Sequence, residues 1–248
     1  MITTVNLISG EGSTNLAILD AQRPGGKLHG LVKTLAIVSS DPNAPGIERA
    51  IRQGFPEFDI RVANRKKGDL GEQLLKILGE YEPDYFHQLG WMPLTPKAVT
   101  ERFMGLNQHL GPGGDFMHGK RRIYAHLRFC QMIDEKRPIP VFCQFVHPKY
   151  DQGDVVYVRF EDFNFAESVN TIANRLLPVE HEVQIEALLR LAKGTYRREP
   201  VPRVFETPEE KELMDQVRLE AESFYRHEYK PGSEVFFTPE THANPILR

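Results

Sequence analysis

Asn107 and His109 stand two residues apart at the end of an apolar run, just before a Gly-rich stretch. On a strand that spacing turns both side chains to one side. An amide donor beside an imidazole could hold an oxyanion there; the pair equally suits two satisfied polar groups at a strand end. A second candidate is Gly10, Glu11, Gly12, Ser13 and Thr14, between a strand-like run and a helix-like one. Glycines let the backbone approach an anion, the helix start aims its free N–H groups at the charge, and two hydroxyls add donors. Glu11 opposes this unless it points outward. The stretch is neither a Walker loop, since no Lys follows, nor a full dinucleotide fingerprint, and a structural turn explains its glycines equally well. Asp151, in Y-D-Q-G-D, could tune a histidine or accept a proton, although Asp with Gly two residues on is also ordinary turn chemistry. Glu180-His181 lies in a helix-like segment, where a solvated surface is the plainer reading.

These residues must be positioned by an alternating frame. Residues 4–9, 34–39, 58–63, 84–89 and 105–110 read as strands. Between them lie a helix from about residue 47 to the good C-cap Gly54, and another over 69–81 with Leu70, Leu74, Leu75 and Leu78 at helical spacing. The order β-α-β-α-β-α-β implies a parallel sheet with crossover helices. Ligands of open parallel sheets sit beyond the carboxyl ends of the strands, where both Asn107-Gln108-His109 and the 10–14 stretch fall. After the Gly-rich 111–118, a helix is expected over 120–132. Two β-rich runs follow, 138–147 and 154–163, joined by P-K-Y-D-Q-G. Residues 165–191 contain helix broken at Pro178. Residues 197–206 read as a linker. Thr207, Pro208 and Glu210 then start a helix with a capping box, and Met214, Val217, Ala221 and Phe224 share one face. The expected division is a catalytic domain over 1–195 and a linker with helical extension over 196–248.

The 248 residues suit one large domain or two small ones. Lys and Arg number 31 against 34 Asp and Glu, a formal charge of −3, which argues against a general nucleic-acid binder and leaves room for a local basic pocket. With 40% hydrophobic and 26% charged residues, the chain reads as soluble and globular. Cys130 and Cys143 make neither a disulfide framework nor a paired metal motif, so no metal is expected. The start lacks the basic and apolar regions of a signal peptide, and no run of about 18 apolar residues occurs. A cytoplasmic protein without a membrane partner is expected; a homodimer is compatible with the sequence.

Taken in order, these segments resemble the folate-dependent formyltransferase family, closest to its members that formylate glycinamide ribonucleotide in purine synthesis. The family's I-S-G-x-G-S-N is similar to I-S-G-E-G-S-T-N at 8–15, with one residue inserted. Its V-I-S-N-x-x-x-A-x-G-x-x-x-A resembles I-V-S-S-D-P-N-A-P-G-I-E-R-A at 37–50, and Y-x-P-D-x-x-x-x-x-G-[FW]-M resembles Y-E-P-D-Y-F-H-Q-L-G-W-M at 81–92. Its N-x-H, D-x-G and helical E-H resemble Asn107-Gln108-His109, Asp151-Gln152-Gly153 and Glu180-His181. The likeness runs over about residues 3–195 and implies an α/β fold: an open, mostly parallel twisted sheet with helices on both faces.

The resemblance also implies roles. Asn107, His109 and Asp151 would form the catalytic trio. Gly10, Glu11, Gly12, Ser13 and Thr14 would hold the acceptor's phosphate, and Glu180 would contact its sugar or amine. Trp91, Met92, Leu94, Gln144, Phe145, Val146 and Tyr150 would line the pocket of the co-substrate 10-formyltetrahydrofolate. Three places differ from the family. Leu110-Gly111-Pro112-Gly113-Gly114 replaces Pro-Ser-Leu-Leu-Pro, Gln144 stands where a histidine is usual, and His147-Pro148-Lys149 precedes the aspartate turn. An amino-sugar nucleotide as acceptor, and a non-catalytic nucleotide- or folate-binding relative, are the alternative readings.

Overall fold

The computed structural model describes residues 1–112, 117, 119–148, 153–237 and 245–247. Its sheet is built from β1 (Ile2–Ile8), β2 (Val32–Ser39), β3 (Ile60–Val62), β4 (Tyr85–Gln88), β5 (Gly105–Leu110), β6 (Ile139–Phe145) and β7 (Val155–Glu161). The seven strands lie in the order β3-β2-β1-β4-β5-β6-β7. The pairs β1–β2, β1–β4, β2–β3 and β4–β5 are parallel. β6 runs the other way: Val146 N donates to Gly105 O at 2.8 Å and Gly111 N to Pro140 O at 2.7 Å, so rising numbers on one strand meet falling numbers on the other. The open, mostly parallel sheet is as expected.

The helices are α1 (Ser13–Ala21), α2 (Pro45–Arg52), α3 (Leu70–Tyr81), α4 (Lys97–Arg102), α5 (Lys120–Met132), α6 (Val169–Lys193) and α7 (Pro208–His227). The structure trims the expected strands at 84–89, 138–147 and 154–163 at their ends, halves the one at 58–63, and joins one expected break. Residues 57–59 form a turn and only Ile60–Val62 pair with β2, because Phe58 projects into solvent. α6 passes through Pro178 without ending. The proline lacks the N–H that would reach the carbonyl of Asn174, and both residues are exposed, so water can serve the freed carbonyl.

The chain divides into two compact units: residues 1–108, 142–157 and 181–200 in the first, residues 109–141, 158–180 and 201–248 in the second. In the first unit, alternation splits the sheet's faces. Val5, Leu7, Ala36, Val38 and Phe86 pack with Leu70, Leu74 and Leu78 of α3 and Val99 of α4. Asn6 and His87, paired in register, carry the other face. Asn6 Nδ2 donates to Asn15 Oδ1 of α1 at 2.8 Å, and His87 Nε2 lies 3.0 Å from Gln184 Oε1 of α6. Burial holds the His87 pKa down at about 4, so its imidazole is neutral at pH 7.

In the second unit α7 packs its expected face, with Met214, Val217, Ala221 and Phe224 all buried. They share a core with Ile123, Leu127 and Phe129 of α5, and the rings of Phe224 and Tyr124 lie 4.9 Å apart. Thr207 Oγ1 caps the helix by accepting from Glu210 N at 3.2 Å. The Glu210 carboxylate accepts from both terminal nitrogens of Arg137, at 2.8 and 2.9 Å, and from Glu206 N at 2.7 Å. Arg137 thus pins the start of α7, and its bonds hold the Glu210 pKa at about 2.

Candidate functional site

β1 ends at Ile8, and the chain turns through residues 9–12 into α1. Gly12 occupies the N-cap position with φ 62°, a left-handed conformation natural to glycine, and no side chain caps the helix. The turn presses against the start of α2. A Cβ on Gly12 would lie 3.2 Å from the Cα of Gly46, and a Cβ on Gly46 would lie 2.8 Å from the Gly10 carbonyl oxygen. Gly46 N donates to that oxygen at 3.0 Å. One turn on, Arg49 Nη1 donates to both the carbonyl oxygen and Oε2 of Glu11, each at 3.1 Å. The Glu11 carboxylate is therefore held by Arg49. Among the described residues, no group accepts from the N–H of Glu11, Gly12, Ser13 or Thr14. The loop offers a run of free amides with two hydroxyls at a helix N-terminus, a surface suited to an anion.

The loop after β4 is tied to the one after β1. Ser9 Oγ accepts from Met92 N at 2.9 Å and from Ser40 Oγ at 2.6 Å, so one hydroxyl joins the loops following β1, β2 and β4. Trp91 belongs to the core of the first unit, whereas Met92 is 56% and Leu94 49% exposed. The two exposed side chains, not the Trp91 ring, are open to a ligand. On β5, Asn107 is half-buried and stands opposite Gln88 in register. On β6, Gln144 is buried. Phe145 is walled in by Tyr85, with ring centroids 6.5 Å apart, Tyr196 at 6.0 Å and the Arg198 guanidinium at 4.6 Å. Val146 packs against the core of the first unit.

Two further residues belong to the second unit. His109 is fully buried, as is nearly all of Glu180. Burial pushes the Glu180 pKa up to about 7, against the pull of the Arg122 guanidinium, so this carboxyl can carry or release a proton near neutrality. Next to it, His181 is half-buried and its pKa is lowered by that burial. Tyr150 and Asp151 lie outside the described residues.

Within the first unit the structure thus brings together the 10–14 loop, the 91–92 segment and the strand of Asn107. Three residues that matter here carried no assignment in the sequence. Ser9 lay inside the quoted motif but had no role of its own. Arg49 and Glu11 are 38 positions apart, and only the crossover from β1 to α2 reveals their pairing. Asn15 anchors the first turn of α1 to β1; the asparagine directly after the loop was the available signal. Among the described residues no group of three or more His, Cys, Asp or Glu could hold a metal ion, and no helix is long and apolar enough to cross a membrane.

Comparison with known proteins covers most of the chain. The model of a family described as formyl transferase matches residues 2–188. Phosphoribosylglycinamide formyltransferase of Saccharomyces cerevisiae is 24% identical over 217 residues, covering 79% of this chain and all of that protein. Its namesake in Schizosaccharomyces pombe is 24% identical over 203 residues, covering 74% of this chain and 94% of that one. Among solved structures, glycinamide ribonucleotide transformylase 1 of Symbiobacterium toebii superposes with a TM-score of 0.64 at 23% identity, covering 80% of this chain and 94% of that one.

Proposed function

The chain belongs to the formyl transferase family, and we propose that it transfers the formyl group of 10-formyltetrahydrofolate to the amine of a phosphorylated acceptor, glycinamide ribonucleotide. The observation that carries the reading is the amide-rich 10–14 loop, tied through Ser9 to the exposed 92–94 segment at the carboxyl ends of adjacent parallel strands. Phosphate fits the first and the folate the second, so the two substrates would meet over β4 and β5. The names of the yeast relatives support the same acceptor.

In this reading the acceptor's neutral amine attacks the formyl carbon, and the carbonyl oxygen becomes an oxyanion. The Asn107 amide and a protonated His109 stabilise it. Asp151 orients His109 and carries the proton from the attacking nitrogen toward N10 of the leaving tetrahydrofolate, directly or through water. Glu180 contacts the acceptor's sugar or amine. Residues 1–195 would carry this chemistry and 196–248 would form the extension.

The test is a formyl-transfer assay with 10-formyltetrahydrofolate, with and without glycinamide ribonucleotide. Formylated acceptor and tetrahydrofolate should form in equal amounts, and only with acceptor present. Tetrahydrofolate release without acceptor would indicate hydrolysis instead. Turnover with an amino-sugar nucleotide alone would change the acceptor.

A further inference from the structure

The free amides of the 10–14 loop need an orientation as well as a location. A peptide group is planar and trans, so a residue's C=O and the following N–H point in opposite directions. Two successive carbonyls of the loop are tied to α2: that of Gly10 to the Gly46 N–H at 3.0 Å, that of Glu11 to Arg49 Nη1 at 3.1 Å. The N–H groups of Glu11 and Gly12 must therefore point away from α2. The free N–H groups of Ser13 and Thr14 follow at the start of α1. The Gly46 tie is backbone to backbone and belongs to the fold. The Arg49 tie is made by a side chain, which also holds the only carboxylate of the loop, that of Glu11, at 3.1 Å.

We propose that Arg49 is a positioning residue for the acceptor's phosphate: from α2 it sets the plane of the Glu11–Gly12 peptide and draws the Glu11 carboxylate off the anion's place. The inference rests on the phosphate reading of the loop. It assigns Arg49 no contact with the reacting atoms. It explains how a loop with a glutamate in its centre can serve an anion, since a free carboxylate beside a phosphate would repel it. The planar guanidinium reaches both acceptors of Glu11 with less rotamer freedom lost per hydrogen bond than a flexible lysine would lose.

The experiment measures inorganic phosphate binding by isothermal titration, and the KM values of acceptor and folate donor, in the parent and in Arg49→Ala, Arg49→Lys, Glu11→Gln and Gly10→Val. Arg49→Ala is expected to weaken phosphate binding and raise the acceptor KM by roughly tenfold, the scale of one charge-assisted hydrogen bond, with the donor KM and the melting temperature unchanged. Arg49→Lys should fall between. Glu11→Gln should bind phosphate as well as the parent or better, because the backbone tie remains and the carboxylate is gone. Gly10→Val serves the underlying reading: a Cβ there meets nothing within 4 Å, so the side chain starts into open space beside the free amides, where its bulk meets a ligand. If Gly10→Val leaves phosphate binding intact, the phosphate reading of the loop falls. If Gly10→Val abolishes binding while Arg49→Ala binds like the parent, the role of Arg49 is overturned and the phosphate reading stands. A loss in Arg49→Ala spread equally over both substrates, with a lower melting temperature, would also overturn it, as general damage to the fold.

Discussion

Replacing Glu180 by glutamine separates the charge of this carboxyl from its packing. The folded chain holds the proton up to about pH 7, because the side chain is buried, while a free glutamate releases it near 4.5. Between those values the folded state keeps a proton that the unfolded state has lost, so stability falls as pH rises. At about 1.4 kcal/mol for each pH unit of that gap, ionising the folded protein costs about 3 kcal/mol. The cost is absent below pH 4.5 and complete above pH 7. Glutamine has the same shape and no charge. Glu180→Gln should therefore be more stable than the parent by up to about 3 kcal/mol at pH 8.5 and within about 0.5 kcal/mol of it at pH 4. Urea unfolding of both proteins across that pH range measures the difference. A difference that does not change with pH, or a variant less stable than the parent at pH 8.5, would refute the argument. Saturating acceptor at pH 8.5 should stabilise the parent more than the variant if the carboxylate meets an acceptor hydroxyl or amine.

Three other outcomes are expected. His109→Ala and Asp151→Asn should each lower kcat by roughly 100-fold or more with folate binding kept, and the double variant should be far less than additive; full activity in Asp151→Asn would remove the catalytic claim. Gly12→Ala should destabilise by about 1–2 kcal/mol, through its left-handed backbone and the closeness of Gly46, while Gly10→Ala should melt like the parent; equal melting of the two variants would contradict the close approach. Phe224→Ala should lose about 3–5 kcal/mol by emptying the contact between α7 and α5, and an unchanged denaturation midpoint would show that the extension does not pack there.

What the sequence disclosed follows from how local its causes are. β5 and α5 have the expected bounds because glycines at 105 and 111 bracket the one and Gly119 precedes the other, signals that act within a few residues. The buried face of α7 was legible for the same reason: helical spacing and a Thr-Pro-x-Glu start are written in one segment. The continuation of α6 through Pro178 was not legible, because it depends on the freed carbonyl facing water. Nor was the depth of Trp91. An aromatic beside Met92 in a loop looks available to a ligand, and only the packing of α3 and α4 on the sheet shows that it is core. The grip of Arg49 on Glu11, and of Arg137 on Glu210, join elements distant in the chain, which no local pattern encodes.

The contact between Gly12 and Gly46 has a consequence for how such sequences change over time. The two positions belong to motifs more than thirty residues apart, yet a side chain on Gly12 would press on the Gly46 backbone, and one on Gly46 would meet the Gly10 and Glu11 backbone of the first loop. A side chain at either position requires the backbone of the other motif to give way. The first mutation at either position is penalised whichever comes first, and a later shift of α2 would alter the penalty at the other. The two motifs should then be gained and lost together across relatives. A homologue with a bulky residue at the position of Gly46 should show a displaced first loop, even where its I-S-G-x-G letters are intact. Residue 46 thereby becomes a marker, readable from sequence alone, for whether a relative's first loop has kept its shape.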